Sequence, residues 1–192
     1  MPASLRTLTA LLATRSAKRG DFVLASGRRS TLYVDCRLTS MSPEGQLLIG
    51  RVGLAALRDT GWAVDAVGGL TLGADPVAYS IAHASALAAE QGEGPMVRAF
   101  TVRKEPKQHG TGKVIEGPFA RGDRVVVVED VITTGGSALR AVEAVRAAGG
   151  TVIGVLALVD REEGGREAIE ATGLPVRALV RASALLAEMP NS

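Results

Sequence analysis

The chain reads as an α/β protein built on a parallel sheet with helices on both faces. Three observations carry that reading. From residue 63 onward, short apolar runs alternate with helix-like segments, the pattern of successive strand–helix–strand units. Valine fills positions 125–128 without a polar break, which suits a strand buried on both of its faces. Twenty-three glycines supply the turns such alternation demands, while aromatics make up 3% and leave the core to Val, Leu, Ala and Ile. At 192 residues the chain fits one domain, 1–192, with a sizeable core.

The elements follow in order. Leu5, Leu8, Leu11 and Leu12 fall at helical spacing within residues 4–18, and Gly20 closes that segment. Extended pieces at 22–24 and 31–36 flank a turn at 26–29, and with the first helix they form a small N-terminal hood of about 1–40. Ser42 and Pro43 open a helix, the hydroxyl as N-cap and proline in the first turn, and Gly61 ends it. Residues 63–67 form a strand, 68–73 a glycine-rich turn, and 76–89 a helix capped by Asp75. Strands follow at 96–102 and 125–128, a helix at 137–148, a long strand at 151–159, a short helix at 166–171 and a last strand at 176–180. Ligands of such sheets bind beyond the carboxyl ends of the strands.

Composition removes several functions. A net charge of +2 is too small to argue for nucleic acid or a membrane surface as partner. Cys36 is the sole cysteine, so no internal disulfide forms, and a reducing cytoplasm is the simplest setting. It reads as a small buried hydrophobe. No uncharged apolar run is long enough to span a bilayer. His83 and His109 lack metal-ligating neighbours at zinc spacing, and Ser26 and Ser137 lack a supporting histidine and acid. Gly112-Lys113 is not a Walker loop, because Lys107 and Val114 stand where glycine and a hydroxyl are needed.

The chemistry concentrates after the valine strand. Glu129 and Asp130 come first, Val131 and Ile132 next, then Thr133, Thr134, Gly135, Gly136 and Ser137, which open an amphipathic helix. Glycine-freed amides at a helix N-terminus make a phosphate site. Two carboxylates would repel that phosphate, so they suit another part of the same ligand, sugar hydroxyls or a metal. The turn at 68–73 offers a second, weaker anion site of the same kind. The segment 103–117 lacks apolar periodicity and carries Arg103, Lys104, Lys107, His109 and Lys113. Its composition leaves two readings open: a solvated loop, or a lid that closes on a polyanion and excludes water. Asp160-Arg161-Glu162-Glu163 ends a strand as a charged turn. Arg161 there is a residue suited to gripping a carboxylate through two parallel N–H bonds.

The stretch from Val125 to Ser137 resembles the motif with which type I phosphoribosyltransferases bind 5-phosphoribosyl 1-diphosphate (PRPP). Arg103 through Gly110, followed by Ile115-Glu116-Gly117, resembles the catalytic loop of the orotate phosphoribosyltransferase family. Phe22 to Ser30 with Tyr33 is similar to that family's base-binding segment, and Asp160-Arg161 to its Asp-Arg pair. The resemblance implies a type I phosphoribosyltransferase core, Rossmann-like, carrying the N-terminal hood. It implies transfer of phosphoribose from PRPP to orotate, with Mg²⁺, in a homodimer that shares the loop across its interface, and no metal site built by the chain. Glu129 and Asp130 would hold the ribose hydroxyls, and Thr133 through Ser137 the 5′-phosphate, with Val131 and Ile132 in the same PRPP-binding stretch. Arg103, Lys107 and His109 would meet pyrophosphate, and Lys104 the site of the partner chain. Thr133 and Arg161 would meet orotate.

Two positions depart from the family pattern. Ala25 stands where many members carry a lysine that touches the substrate, and Leu72 where some carry one in the pyrophosphate turn. Rival readings are a phosphoribosyltransferase for another base, and a non-catalytic PRPP-binding regulator. The first leaves the pattern of 103–117 and Arg161 without a purpose. The second lacks a basic nucleic-acid face.

Overall fold

The computed structural model describes residues 2–23, 27, 29–105 and 114–189. A six-stranded sheet runs in the order β5-β4-β3-β6-β7-β8. Its strands are β3 (Ala66–Leu70), β4 (Arg98–Val102), β5 (Ile115–Glu116), β6 (Arg124–Ile132), β7 (Thr151–Asp160) and β8 (Val176–Arg181). All neighbours pair parallel except β5, which runs antiparallel on the edge beside β4. The valine run explains the layering. Val126 and Val128 pack with Leu12, Ile49 and Ile81 of α1 (Ala3–Arg15), α3 (Pro43–Asp59) and α4 (Ala74–Glu90). Val125 and Val127 face the opposite cluster, with Ala141 and Val145 of α5 (Gly136–Ala147) and Ile169 of α6 (Gly165–Glu170). Side chains alternate along a strand, so a polar residue on either face would be buried unpaired.

Chain order sets the site. From β3 the sheet grows to one side through β4, and then β6 returns to the other side of β3. Loops leaving β3 and β6 therefore diverge, and a crevice opens between their carboxyl ends. Above it lies an antiparallel hairpin of β1 (Ala17–Val23) and β2 (Arg29–Val34), followed by the short helix α2 (Arg37–Ser40). Helix α7 (Ala182–Glu188) ends the fold and packs on α1.

Several expectations hold and several shift. Ser42 Oγ accepts the Gly45 N–H at 3.1 Å with Pro43 in the first turn, as its sequence anticipates. The first helix stops at Arg15, and Gly20 lies inside β1, because residues 17–19 pair with β2 instead of extending the helix. Strand β3 continues through Gly68 and Gly69, where ladder bonds to β4 outweigh the turn preference of glycine. Asp75 does not cap α4. Gly73 holds the cap position, and the Asp75 carboxylate accepts the Thr101 hydroxyl at 2.9 Å instead.

Candidate active site

Strand β6 delivers both acids to one cleft. The cleft has a volume of about 520 Å³ and lies at the carboxyl ends of β3, β6 and β7. Glu129 is only 7% exposed, and its Oε2 is buried with no hydrogen-bond partner among the described residues. Burial, reinforced by the neighbouring Asp130 carboxylate, pushes the Glu129 carboxyl up to about 8. Asp130 Oδ1 accepts the Val131 N–H at 2.9 Å. The acid lies flush against the turn after β3, where a Cβ on residue 73 would fall 2.3 Å from the Asp130 carboxylate. A side chain at 73 would displace that carboxylate.

The phosphate loop is built by one backbone reversal. Gly135 takes φ +82, a left-handed conformation glycine adopts without strain, and so becomes the N-cap of α5. No side chain caps this end, so first-turn amides of α5 stay open where Gly135, Gly136 and Ser137 line the cleft. An anion at that position receives amide hydrogens and the positive end of the helix.

Arg161 closes the other end. Its side chain is 5% exposed and lines the cleft. Nη2 donates to Ser30 Oγ at 2.8 Å, to the Leu32 carbonyl at 2.7 Å and to Glu163 Oε1 at 2.8 Å. Nε is buried without a partner among the described residues. Every pair of parallel N–H bonds a guanidinium can offer includes Nη2. The two-bond carboxylate grip suggested by the residue type is therefore closed while Nη2 is so occupied.

Residues 53–172 match the phosphoribosyl transferase domain family. The orotate phosphoribosyltransferase of Aquifex aeolicus is 48% identical over 182 residues, which cover 93% of this chain and 96% of that protein. That of Rhodopirellula baltica is 47% identical over 179 residues, covering 91% and 90%. The chain belongs to the orotate phosphoribosyltransferase family. Its fold is similar to the crystal structure of the Mycobacterium tuberculosis orotate phosphoribosyltransferase in complex with inorganic phosphate. The TM-score is 0.80 at 42% identity, over 96% of this chain and 99% of that one. A structure of the same enzyme in complex with PRPP gives 0.76 at 38% identity, over 96% and 93%.

Within this orotate phosphoribosyltransferase fold the cleft gathers Glu129, Asp130, Val131, Ile132, the stretch 133–137, Lys104 and Arg161. Lys104, which the resemblance directs to a partner chain, lines the cleft of its own. Arg103 stands apart in an adjoining recess of about 380 Å³ that shares Thr71, Leu72 and Lys104 with the cleft. It lies 3.5 Å from Glu116. Lys107 and His109 lie outside the described residues. Leu72 is 63% exposed at the boundary of the two hollows.

Asp35 and Arg37, which no sequence motif marks, also line the cleft below the hairpin as a two-bond ion pair of 2.8 and 3.0 Å. The Arg37 guanidinium holds the Asp35 carboxyl below its ordinary value. An acid and an arginine two residues apart are too common to mark a site by themselves. Cys36 also lines the cleft, fully buried, its thiol 3.6 Å from the Asp130 carbonyl. Burial and the nearby carboxylates push that thiol up, which suits an inert hydrophobe and not a nucleophile.

Proposed function

We propose that this chain transfers the 5-phosphoribosyl group of PRPP to orotate, giving orotidine 5′-monophosphate and pyrophosphate. One observation carries the reading: a single cleft at the switch point of the sheet holds a helix-terminus phosphate loop, an adjacent acid pair and a buried arginine. A ligand with phosphate at one end, ribose hydroxyls in the middle and an anionic base at the other matches that order. The first amides of α5 bind the 5′-phosphate. Glu129 and Asp130 accept the ribose hydroxyls, and such donors are what the partnerless Oε2 of Glu129 lacks. Thr133 and Arg161 hold orotate.

In the reaction pyrophosphate leaves C1 as positive charge builds on the ribose, and the ring nitrogen of orotate takes its place. Cations that meet the departing charge lower the barrier. Lys104 lines the cleft for that task. Arg103, Lys107 and His109 join it by family resemblance. Mg²⁺, when bound, would add positive charge at the leaving group. No group of three or more metal-ligating side chains gathers among the described residues. Glu129 and Asp130 are the two adjacent carboxylates of the cleft that would hold the ion. Exclusion of water protects PRPP from hydrolysis, the use of a closing loop.

One phosphoribosyltransferase domain spans 1–192 with its hood, and two copies pair as a homodimer that shares the 103–117 loop across its interface. A cytoplasmic setting is supported by the lone cysteine; no described helix is long and apolar enough to cross a membrane. Incubation with PRPP, Mg²⁺ and orotate tests the activity through the loss of orotate absorbance. Turnover with adenine, guanine or xanthine but not orotate transfers the reading to another base. No turnover with any base leaves a PRPP-binding regulator.

A further inference from the structure

The contacts of Arg161 single out a residue that no part of the reaction has yet used. We propose that Glu163 is a positioning residue for the base end of the cleft, acting through Arg161; this rests on the reading of that end as the orotate site. The turn after β7 is fixed at several points. The Arg161 N–H donates to the Ile132 carbonyl at 3.0 Å, joining the turn to the end of β6. The Glu162 N–H donates to Asp160 Oδ1 at 2.8 Å, and Glu162 Oε2 accepts the Ser183 N–H at the start of α7 at 2.8 Å. A carboxylate carried on this turn has little freedom, and that of Glu163, 16% exposed, holds Nη2 of Arg161.

Charge gives the contact its purpose. Three acceptors meet the two hydrogens of Nη2, but Ser30 Oγ and the Leu32 carbonyl are neutral. Glu163 supplies the negative charge that pairs with this guanidinium, on a side chain only 5% exposed, and holds it in place. Nη1, for which no bond forms among the described residues, is then left as the donor this wall residue can offer, while Nε stays buried. Without Glu163 the cation has reason to turn toward water, and each binding event must restore its pose. Glu163 does not line the cleft itself, so it backs the arginine and does not compete with the ligand for space.

The test compares wild type with Glu163→Ala, which removes acceptor and charge, and Glu163→Gln, which keeps an acceptor. Steady-state kinetics read KM for orotate and for PRPP separately, and thermal unfolding runs beside them. We expect the alanine variant to raise KM for orotate about tenfold, with KM for PRPP and kcat within about twofold of wild type. The glutamine variant falls between. Equal rises in both KM values with a lower Tm mean a merely structural residue and overturn the proposal. An unchanged or lowered KM for orotate overturns it as well, the second by making Glu163 a competitor for Arg161. A wild type inactive with orotate but active with another base overturns the reaction assigned above, and the inference falls with it.

Discussion

Glu129→Gln tests the electrostatics of the acid pair most directly. Glu129 has an ordinary carboxyl value of 4.5 and is pushed up to about 8 in the folded chain, first by burial and then by Asp130. Between those values the folded protein keeps a proton that the unfolded chain has lost. Stability therefore falls as pH rises through that window, and is greatest below about 4.5 as far as this group is concerned. The gap corresponds to about 5 kcal/mol at about 1.4 kcal/mol per pH unit, an upper figure for what ionised Glu129 costs above pH 8. Glutamine carries no charge and can donate an amide hydrogen to Asp130, so this contribution vanishes in the variant. Urea unfolding of both proteins at pH 5, 7 and 9 reads the effect of the acid pair, because the titrations of groups that do not interact with Glu129 cancel in the difference. The variant gains on wild type steadily from pH 5 to pH 9. A gain of several kcal/mol raises Tm by about 2–4 °C per kcal/mol in a chain of this size. Stability curves that run parallel from pH 5 to 9, or a variant that is the less stable at pH 9, would refute the reasoning.

Three further outcomes follow from the same geometry. PRPP binding at pH 7 should release close to one proton as the ribose hydroxyls stabilise ionised Glu129. Calorimetry in buffers of different ionisation enthalpy measures it, and an enthalpy independent of buffer rules it out. Arg161→Ala should raise KM for orotate by about tenfold or more and leave PRPP little affected. It should also destabilise the fold by about 1–3 kcal/mol, because Ser30, Leu32 and Glu163 lose their shared donor. Titrations showing equal losses for both ligands contradict that role. Gly73→Ala drives a methyl group into the Asp130 carboxylate. PRPP affinity should fall, and stability by about 1–3 kcal/mol; unaltered PRPP titration counts against a close-packed acid and turn.

Much of the site was legible because its information is local. Positions 125 to 137 carry a buried strand, two acids, a glycine at the reversal and a helix, and each part folds from its neighbours in the chain. Such a segment points to a phosphate-bearing ligand before any tertiary contact is known. Ser42 and Pro43 announce a helix for the same reason. Gly20 and the pair Gly68-Gly69 misled because residue preference is weak beside the ladder bonds a neighbouring strand supplies.

What the chain alone determined is the set of chemical parts and their local supports: the acid pair, the open amides, the cations, and an arginine at a strand end. Tertiary structure decided what each part meets. Glu129 holds its proton because the sheet and its helices exclude water from it, a property no neighbouring residue carries. The Asp130 carboxylate lies against Gly73 because β3 and β6 lie side by side. Arg161 gives up one nitrogen because a hairpin from the N-terminal part of the chain and Glu163 take it. Burial and donor count depend on which distant segments fill the same space, and that is set when the whole sheet assembles.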